Sequence, residues 1–166
     1  MRVYDDALPV VYGYFVTRCG EPAVAEDLTA QTFLSAVEAV RRTKPPVIDV
    51  KWLIGVARHK LADHWRAAAR DRARVAAVEN EQALAPGRED PWEGSLDRLL
   101  AAQTLRQLAP QHRLVLTLRY VDDLPVAEVA ETIGRSVHAT EGVLVRARSS
   151  FRRHYPRPRD DEGGSR

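Results

Sequence analysis

Between Arg135 and Arg153, five arginines (Arg135, Arg146, Arg148, Arg152 and Arg153) face a single acid, Glu141. Guanidinium groups gathered this way can neutralise and hydrogen-bond phosphate, although a solvated helix face has the same composition. The residues around them narrow the choice. Val126, Val129, Ala130 and Ile133 form one side of a short amphipathic helix, and Gly134 suits the left-handed position that closes it. Ser136 can cap a following helix, whose inner side is lined by Thr140, Leu144, Ala147 and Phe151. This is helix-turn-helix spacing, with the small Ala130 where two helices cross. In such a unit Val137, His138, Glu141 and Val145 on the second helix meet a DNA major groove. Arg146, Arg148 and Arg152 can then neutralise phosphates. A helical hairpin packed on other helices shares the spacing.

A second basic face lies earlier in the chain. Lys51, Arg58, Ala62 and Arg66 recur at close to whole helical turns, so one side of that helix can follow a phosphate backbone while Leu53, Ala57 and Leu61 hold the opposite side in a core. Trp52 can serve as a stacking platform for a base, or simply as core beside Leu53 and Ile54. Catalysis finds less support. His59 and Asp63 share a helix face, but His64 points about 100° away from Asp63, and two ligands on one helix do not make a metal site. Ser, His and Asp occur without a nucleophile elbow, and there is no Gly-rich phosphate loop. No enzyme, metal or cofactor is expected.

The elements that must carry these residues are helical throughout. Leu8, Val11, Tyr12, Phe15, Val16 and Cys19 recur at steps of three and four up to the breaker Gly20. A second helix is expected from about Pro22 to Arg42, with Glu26 and Asp27 early and Arg41 and Arg42 late, ended by Thr43-Lys44-Pro45-Pro46. Asp49 is the expected N-cap of the long basic helix, which frays somewhere beyond Arg74. From Val75 the composition turns to Ala, Glu, Gln, Pro and Gly, and Asp90-Pro91-Trp92-Glu93 has the pattern of a capping box that restarts a helix. Leu96, Leu99, Leu100, Leu105 and Leu108 make the next apolar stripe. Pro110 opens a helix through Leu114, Val115, Leu118 and Val121, and Asp122-Asp123-Leu124-Pro125 is a turn.

The 166 residues, 45% apolar and 29% charged, suit a soluble chain of one ordinary or two small domains. The best apolar run, Leu8 to Val16, is too short to span a membrane and carries Pro9 and Gly13. Met1 leads straight into Arg2, Asp5 and Asp6 without the apolar core of a signal peptide, so a cytoplasmic location is expected. The lone Cys19 precludes an internal disulfide. The net charge of +2 hides a pattern: ten Lys/Arg against eight Asp/Glu in 1–70, four against seven in 71–100, and eleven against eight in 101–166.

Together, these features bring a family into view. LAPQHRLVLTLRYVDDLPVAEVAETIGRSVHATEGVLVRARSSFRR resembles the fourth conserved region of a bacterial sigma factor, and AEDLTAQTFLSAVEAVRR followed by WLIGVARHKLADHWR resembles its second region. With a linker in place of a third region, the chain resembles an extracytoplasmic-function (ECF) sigma factor of the sigma-70 family over roughly Tyr4 to Tyr155. The resemblance implies an all-α protein of two small helical domains joined by a flexible linker. Residues 1–74 would form the region 2 three-helix domain, 75–91 the linker, 92–155 the region 4 helix-turn-helix domain, and 156–166 a disordered tail. It further implies an initiation subunit without catalytic activity, which binds core RNA polymerase and promoter DNA and helps open the −10 region. A probable anti-sigma factor, no membrane insertion and a monomer that joins a larger assembly also follow from the resemblance.

Carried over by position, Glu26, Asp27, Leu28, Gln31, Thr32 and Phe33 dock on the polymerase clamp helices, although the residues by themselves favour a solvated acidic turn for Glu26 and Asp27, and core packing also accounts for Phe33. Lys51, Trp52, Arg58, His59, Asp63 and Arg66 fall on the −10 reader, with the loop Thr43 to Val50 where a promoter base is captured. Arg135, Ser136, Val137, His138, Glu141, Val145, Arg146 and Arg148 fall on the −35 reader. Three positions depart from the family pattern: His59 stands where Asn is usual, Glu141 where Lys or Arg is common, and Val143 where Arg is common. Glu141 can accept from a cytosine amino group, so a different −35 sequence is expected, with more dependence on Arg146 and Arg148. Two other readings remain open: a free-standing helix-turn-helix regulator, which leaves the N-terminal half without a role, and a sigma-like interaction module that binds polymerase without initiating.

Overall fold

The computed structural model describes residues 2–75 and 98–155, and every regular element among them is helical. The expected linker core, the capping box at Asp90, Leu96 and the tail lie outside the described residues. Helix α1 (Arg2–Cys19), α2 (Pro22–Val40) and α3 (Val50–Val75) pack on one another as the first domain. Helix α4 (Arg98–Gln107), α5 (Pro110–Leu116), a π-helical turn at Thr117–Val121, α6 (Val126–Ile133) and α7 (Val137–His154) make up the second.

Punctuation residues set these boundaries. Gly20 takes φ 76° between α1 and α2, a conformation that a Cβ disfavours, and Pro22 opens α2 where its missing N–H costs nothing. Asp49 caps α3, accepting the Trp52 N–H at 2.7 Å. Arg41 is the C-cap of α2, so the helix ends at Val40, just before the expected Arg42.

The inward faces follow the helical period. Val11 and Phe15 of α1, Ala25 and Leu28 of α2, and Leu53, Ala57 and Leu61 of α3 are buried, while Leu114, Val115, Leu118, Leu144, Ala147 and Phe151 fill the second domain. Both sets belong to one continuous apolar cluster, because α3 packs against α5 and α6. Two details differ from the sequence expectation. Leu99 is turned outward, 70% exposed, because Ala101 and Thr104 take the inner side of the short α4. The expected continuous helix from Pro110 to Val121 widens after Leu116 into the π turn, where the Asp122 N–H bonds Thr117 O at 2.9 Å and Val121 is left exposed.

Candidate nucleic-acid interface

The helix-turn-helix is built as the spacing predicts. Gly134 closes α6 at φ 68°, ψ 39°, with the Arg135 N–H returning to Ala130 O at 3.0 Å, and the Ser136 hydroxyl accepts the Ala139 N–H at 3.2 Å to start α7. Ala130 is buried at the crossing, and Thr140, Leu144, Ala147 and Phe151 line the inner face of α7. Outward stand Arg135, Ser136, Val137, His138, Glu141 and Arg146, all exposed, with Val145 half-buried beside them. Val143 is buried among them. Arg148 behaves differently from Arg146: it is half-buried, its Nη1 donates to the Tyr120 hydroxyl at 3.2 Å, and its Nε is buried without a hydrogen-bond partner among the described residues. Arg152 is likewise half-buried.

The α3 face has another fate. Lys51, His59 and Asp63 are exposed and Trp52 is half-buried against the core. Ala62, expected on the face that follows a phosphate backbone, is fully buried, because α5 and α6 pack across that side. Arg66 donates to Ile133 O at 3.2 Å, pairs with Asp63, and approaches the Gly134 turn so closely that a Cβ there would stand 3.4 Å from its Nη1. Arg113 of α5 lies 5.5 Å from the Trp65 ring and donates to Leu105 O at 3.0 Å. Burial, reinforced by Arg72 and Arg106, holds the Arg113 pKa below its ordinary value. Between the two domains a cleft of about 300 Å³, apolar at Trp65, Leu114 and Ile133, is rimmed by Arg66, Arg70 and Arg135.

A group that sequence reasoning missed joins the domains. The Asp122 carboxylate, its side chain 2% exposed, accepts the Tyr14 hydroxyl at 2.8 Å and the Arg18 Nε at 3.1 Å, and is also paired with Arg18 Nη2. Arg58 Nε lies 3.7 Å from the same carboxylate. Burial, then the Asp122 charge, pushes the Tyr14 hydroxyl pKa far up, so it stays a donor. Asp122 and Asp123 read in sequence only as a turn, and no local spacing relates them to residues of α1.

On the first domain's outer side, Glu26, Asp27 and Gln31 are exposed, with Gln31 Nε2 bonded to Asp27 Oδ2 at 2.7 Å. Phe33 is half-buried, its ring 4.7 Å from that of Tyr4. Leu28 and Thr32, within the expected docking stretch, are buried in the core, and the Thr32 hydroxyl donates to Leu28 O at 2.8 Å. His59 and Asp63 bring no third ligand with them, and among the described residues no cluster of three or more His, Cys, Asp or Glu gathers to hold a metal. No described helix is long and apolar enough to cross a membrane.

Two helical domains, one with a basic helix and one with a helix-turn-helix, define the sigma-70 class, and the family models agree. Sigma-70 region 2 matches residues 3–71 and sigma-70 region 4 matches residues 98–150. The ECF RNA polymerase sigma factor BldN of Streptomyces coelicolor is 34% identical over 93% of this chain, which spans 60% of BldN. The ECF RNA polymerase sigma factor SigL of Mycobacterium tuberculosis is 33% identical over 80% of this chain, which spans 75% of SigL. The chain belongs to the ECF RNA polymerase sigma factors. The fold is shared with the sigma factor RpoE of Bartonella quintana, solved with the anti-sigma factor NepR, at a TM-score of 0.54 and 20% identity over 91% of this chain and 92% of that one.

Proposed function

We propose that this chain is a transcription initiation subunit, not an enzyme, which gives cytoplasmic core RNA polymerase its promoter specificity and helps open the −10 region. The observation that carries this reading is the presence in one chain of the Gly134–Ser136 helix-turn-helix and the basic helix α3, in the order and separation of regions 4 and 2. In this role Glu26, Asp27, Gln31 and Phe33 offer the polymerase an edge that Leu28 and Thr32 support from below. Lys51, Trp52, Arg58, His59, Asp63 and Arg66 serve the −10 element, where extrusion of a base costs a few kcal/mol, about what stacking on an aromatic ring returns.

At the −35 element, Arg135, Ser136, Val137, His138, Glu141 and Val145 meet base edges and sugar-phosphate, and Arg146 takes a phosphate. Arg148 acts through Tyr120, orienting α7 on the second domain. A protein anti-sigma factor is the proposed antagonist, one that holds the two domains away from polymerase.

Run-off transcription from fragmented genomic DNA of the source organism, with sigma-free core and this purified chain, tests the reading. Discrete, protein-dependent 5′ ends are expected, and they supply both promoter elements at once. Co-elution with core without new transcripts would replace this reading with the interaction module. Absence of binding to core would leave a free-standing helix-turn-helix regulator.

A further inference from the structure

The Asp122 cluster has the make-up of an anion site. Two arginines and one hydroxyl, from α1 and α3, converge on a single carboxylate delivered by the other domain. Those three donors all belong to the first domain, where α1 and α3 pack on each other. A carboxylate and a phosphodiester present the same thing to a guanidinium, a pair of anionic oxygens that accept charge-assisted hydrogen bonds. Arg58 Nε is buried here without a hydrogen-bond partner among the described residues, 3.7 Å from Asp122, so it is a donor available beside the anion the site already has.

We infer that Tyr14, Arg18 and Arg58 form a backbone-phosphate site for promoter DNA, and that Asp122 occupies it as an intramolecular stand-in which latches the free chain shut. The inference rests on the promoter-binding reading and extends it to Tyr14 and Arg18 at the end of α1. The latch is geometrically tied to the rest of the closed arrangement. With Asp122 seated, α5 and α6 cover Ala62, Arg66 is bound to Ile133 O, and the Gly134 turn sits against α3. DNA cannot follow that face until the carboxylate withdraws. The π turn delivers it: Thr117–Val121 ends with Asp122 as its cap, and Asp123 at φ 53° turns the chain away toward α6. The second acid is not part of the latch, since the Asp123 side chain is 98% exposed and lies 3.9 Å from Arg119 of its own domain.

Occupancy of one site by two anions makes opening and phosphate binding competitive, and this can be measured on the full chain with a labelled oligothymidylate as a sequence-neutral phosphodiester probe. Small-angle scattering of the wild-type chain should show expansion as the oligonucleotide saturates it; a chain that binds the probe and stays compact would overturn the inference. Asp122→Asn should be expanded without DNA and bind the probe at least about fivefold more tightly. Adding Arg18→Ala should remove that gain and flatten the log-log salt dependence by about 0.7, one single-strand phosphate contact. Asp123→Asn should behave as wild type. An Asp122→Asn chain as compact as wild type removes the latch, and an expanded one with unchanged affinity removes the phosphate site. The wild-type titration decides the matter should Asp122→Asn lose its helical ellipticity. Protein-dependent run-off transcripts obtained alongside either negative result would leave the sigma-factor reading standing and strike out this inference alone.

Discussion

Along α7 the outward positions Val137, His138, Glu141 and Arg146 stand in solvent, whereas on α3 Ala62 is fully buried, Arg66 is bound to a backbone carbonyl and Arg58 lies against a carboxylate. Both helices carry arginines at helical spacing above an apolar inner face, so their sequences advertise the same surface. The difference comes from what each packs on. The inner face of α7 is satisfied within its own domain by α5 and α6, leaving its outer face free. Helix α3 is gripped on one side by α1 and α2 and on another by α5 and α6. The outer face of α7 is thus exposed, while the basic face of α3 is covered by the second domain.

Core substitutions on the two sides test how far this pairing reaches into stability. Phe151→Ala beneath the exposed face should cost about 3–5 kcal/mol, and Leu61→Ala beneath the covered face about 2–5 kcal/mol. Because one apolar cluster runs through both domains, each variant should lower a single thermal transition of the full chain. Two separated transitions, only one of them shifted, would break the coupling and restore two independent cores.

The covered side also makes a prediction in pH. Burial pushes the Cys19 thiol, at the end of α1, up to about 11, an effect that outweighs the opposing charge of Arg113. Its alkylation by iodoacetamide at pH 8 should run about a hundredfold slower than that of an ordinary thiol, and should keep rising through pH 10 as the thiolate fraction grows. The raised pKa has a matching sign in stability. Above pH 9 the unfolded thiol loses its proton while the folded one retains it, so this group's contribution falls as pH rises toward 11. A rate already level by about pH 10 would show the thiol to be freely hydrated.

Most of the local architecture was legible in the sequence, because helix boundaries depend on residues that act within a few positions: Asp49, Pro110, Gly134 and Ser136 do where they stand what their chemistry predicts. The outward face of α7 was legible for the same reason, since one helix's period decides which residues point out. What escaped was anything settled between the domains. The burial of Ala62, the inward turn of Arg148 and the Tyr14–Arg18–Asp122 cluster depend on partners that the chain brings from far away, and periodicity along one helix carries no record of them. The π turn was missed because its i to i+5 bond leaves the apolar spacing of Leu114, Val115 and Leu118 unchanged.

Arg58→Ala sharpens the contrast on the DNA side. Loss of one charge-assisted phosphate contact is worth about 1.5–3 kcal/mol, so holoenzyme activity on duplex promoter should fall roughly tenfold or more. On a template with the −10 region already unpaired, most of that loss should be recovered. An equal deficit on both templates would place Arg58 in holoenzyme assembly or folding and take it away from opening.

The smallest effect separates two arginines that the sequence treats alike. Arg146 is exposed on the outer side of α7, whereas Arg148 donates to Tyr120 and keeps its Nε buried. Arg146→Ala should weaken −35 binding and lower the log-log salt slope by about one unit, as one lost duplex phosphate contact requires. Arg148→Ala should leave that slope unchanged and lower the melting temperature instead, because a hydrogen bond of this kind contributes about 1 kcal/mol. Equal slopes for the two variants would mean that α7 rotates on the second domain when it meets DNA, freeing Arg148 from Tyr120 and carrying it to the phosphates. The −35 face would then be shaped on contact, as opening shapes the α3 face, and the two readers would differ in degree instead of in kind.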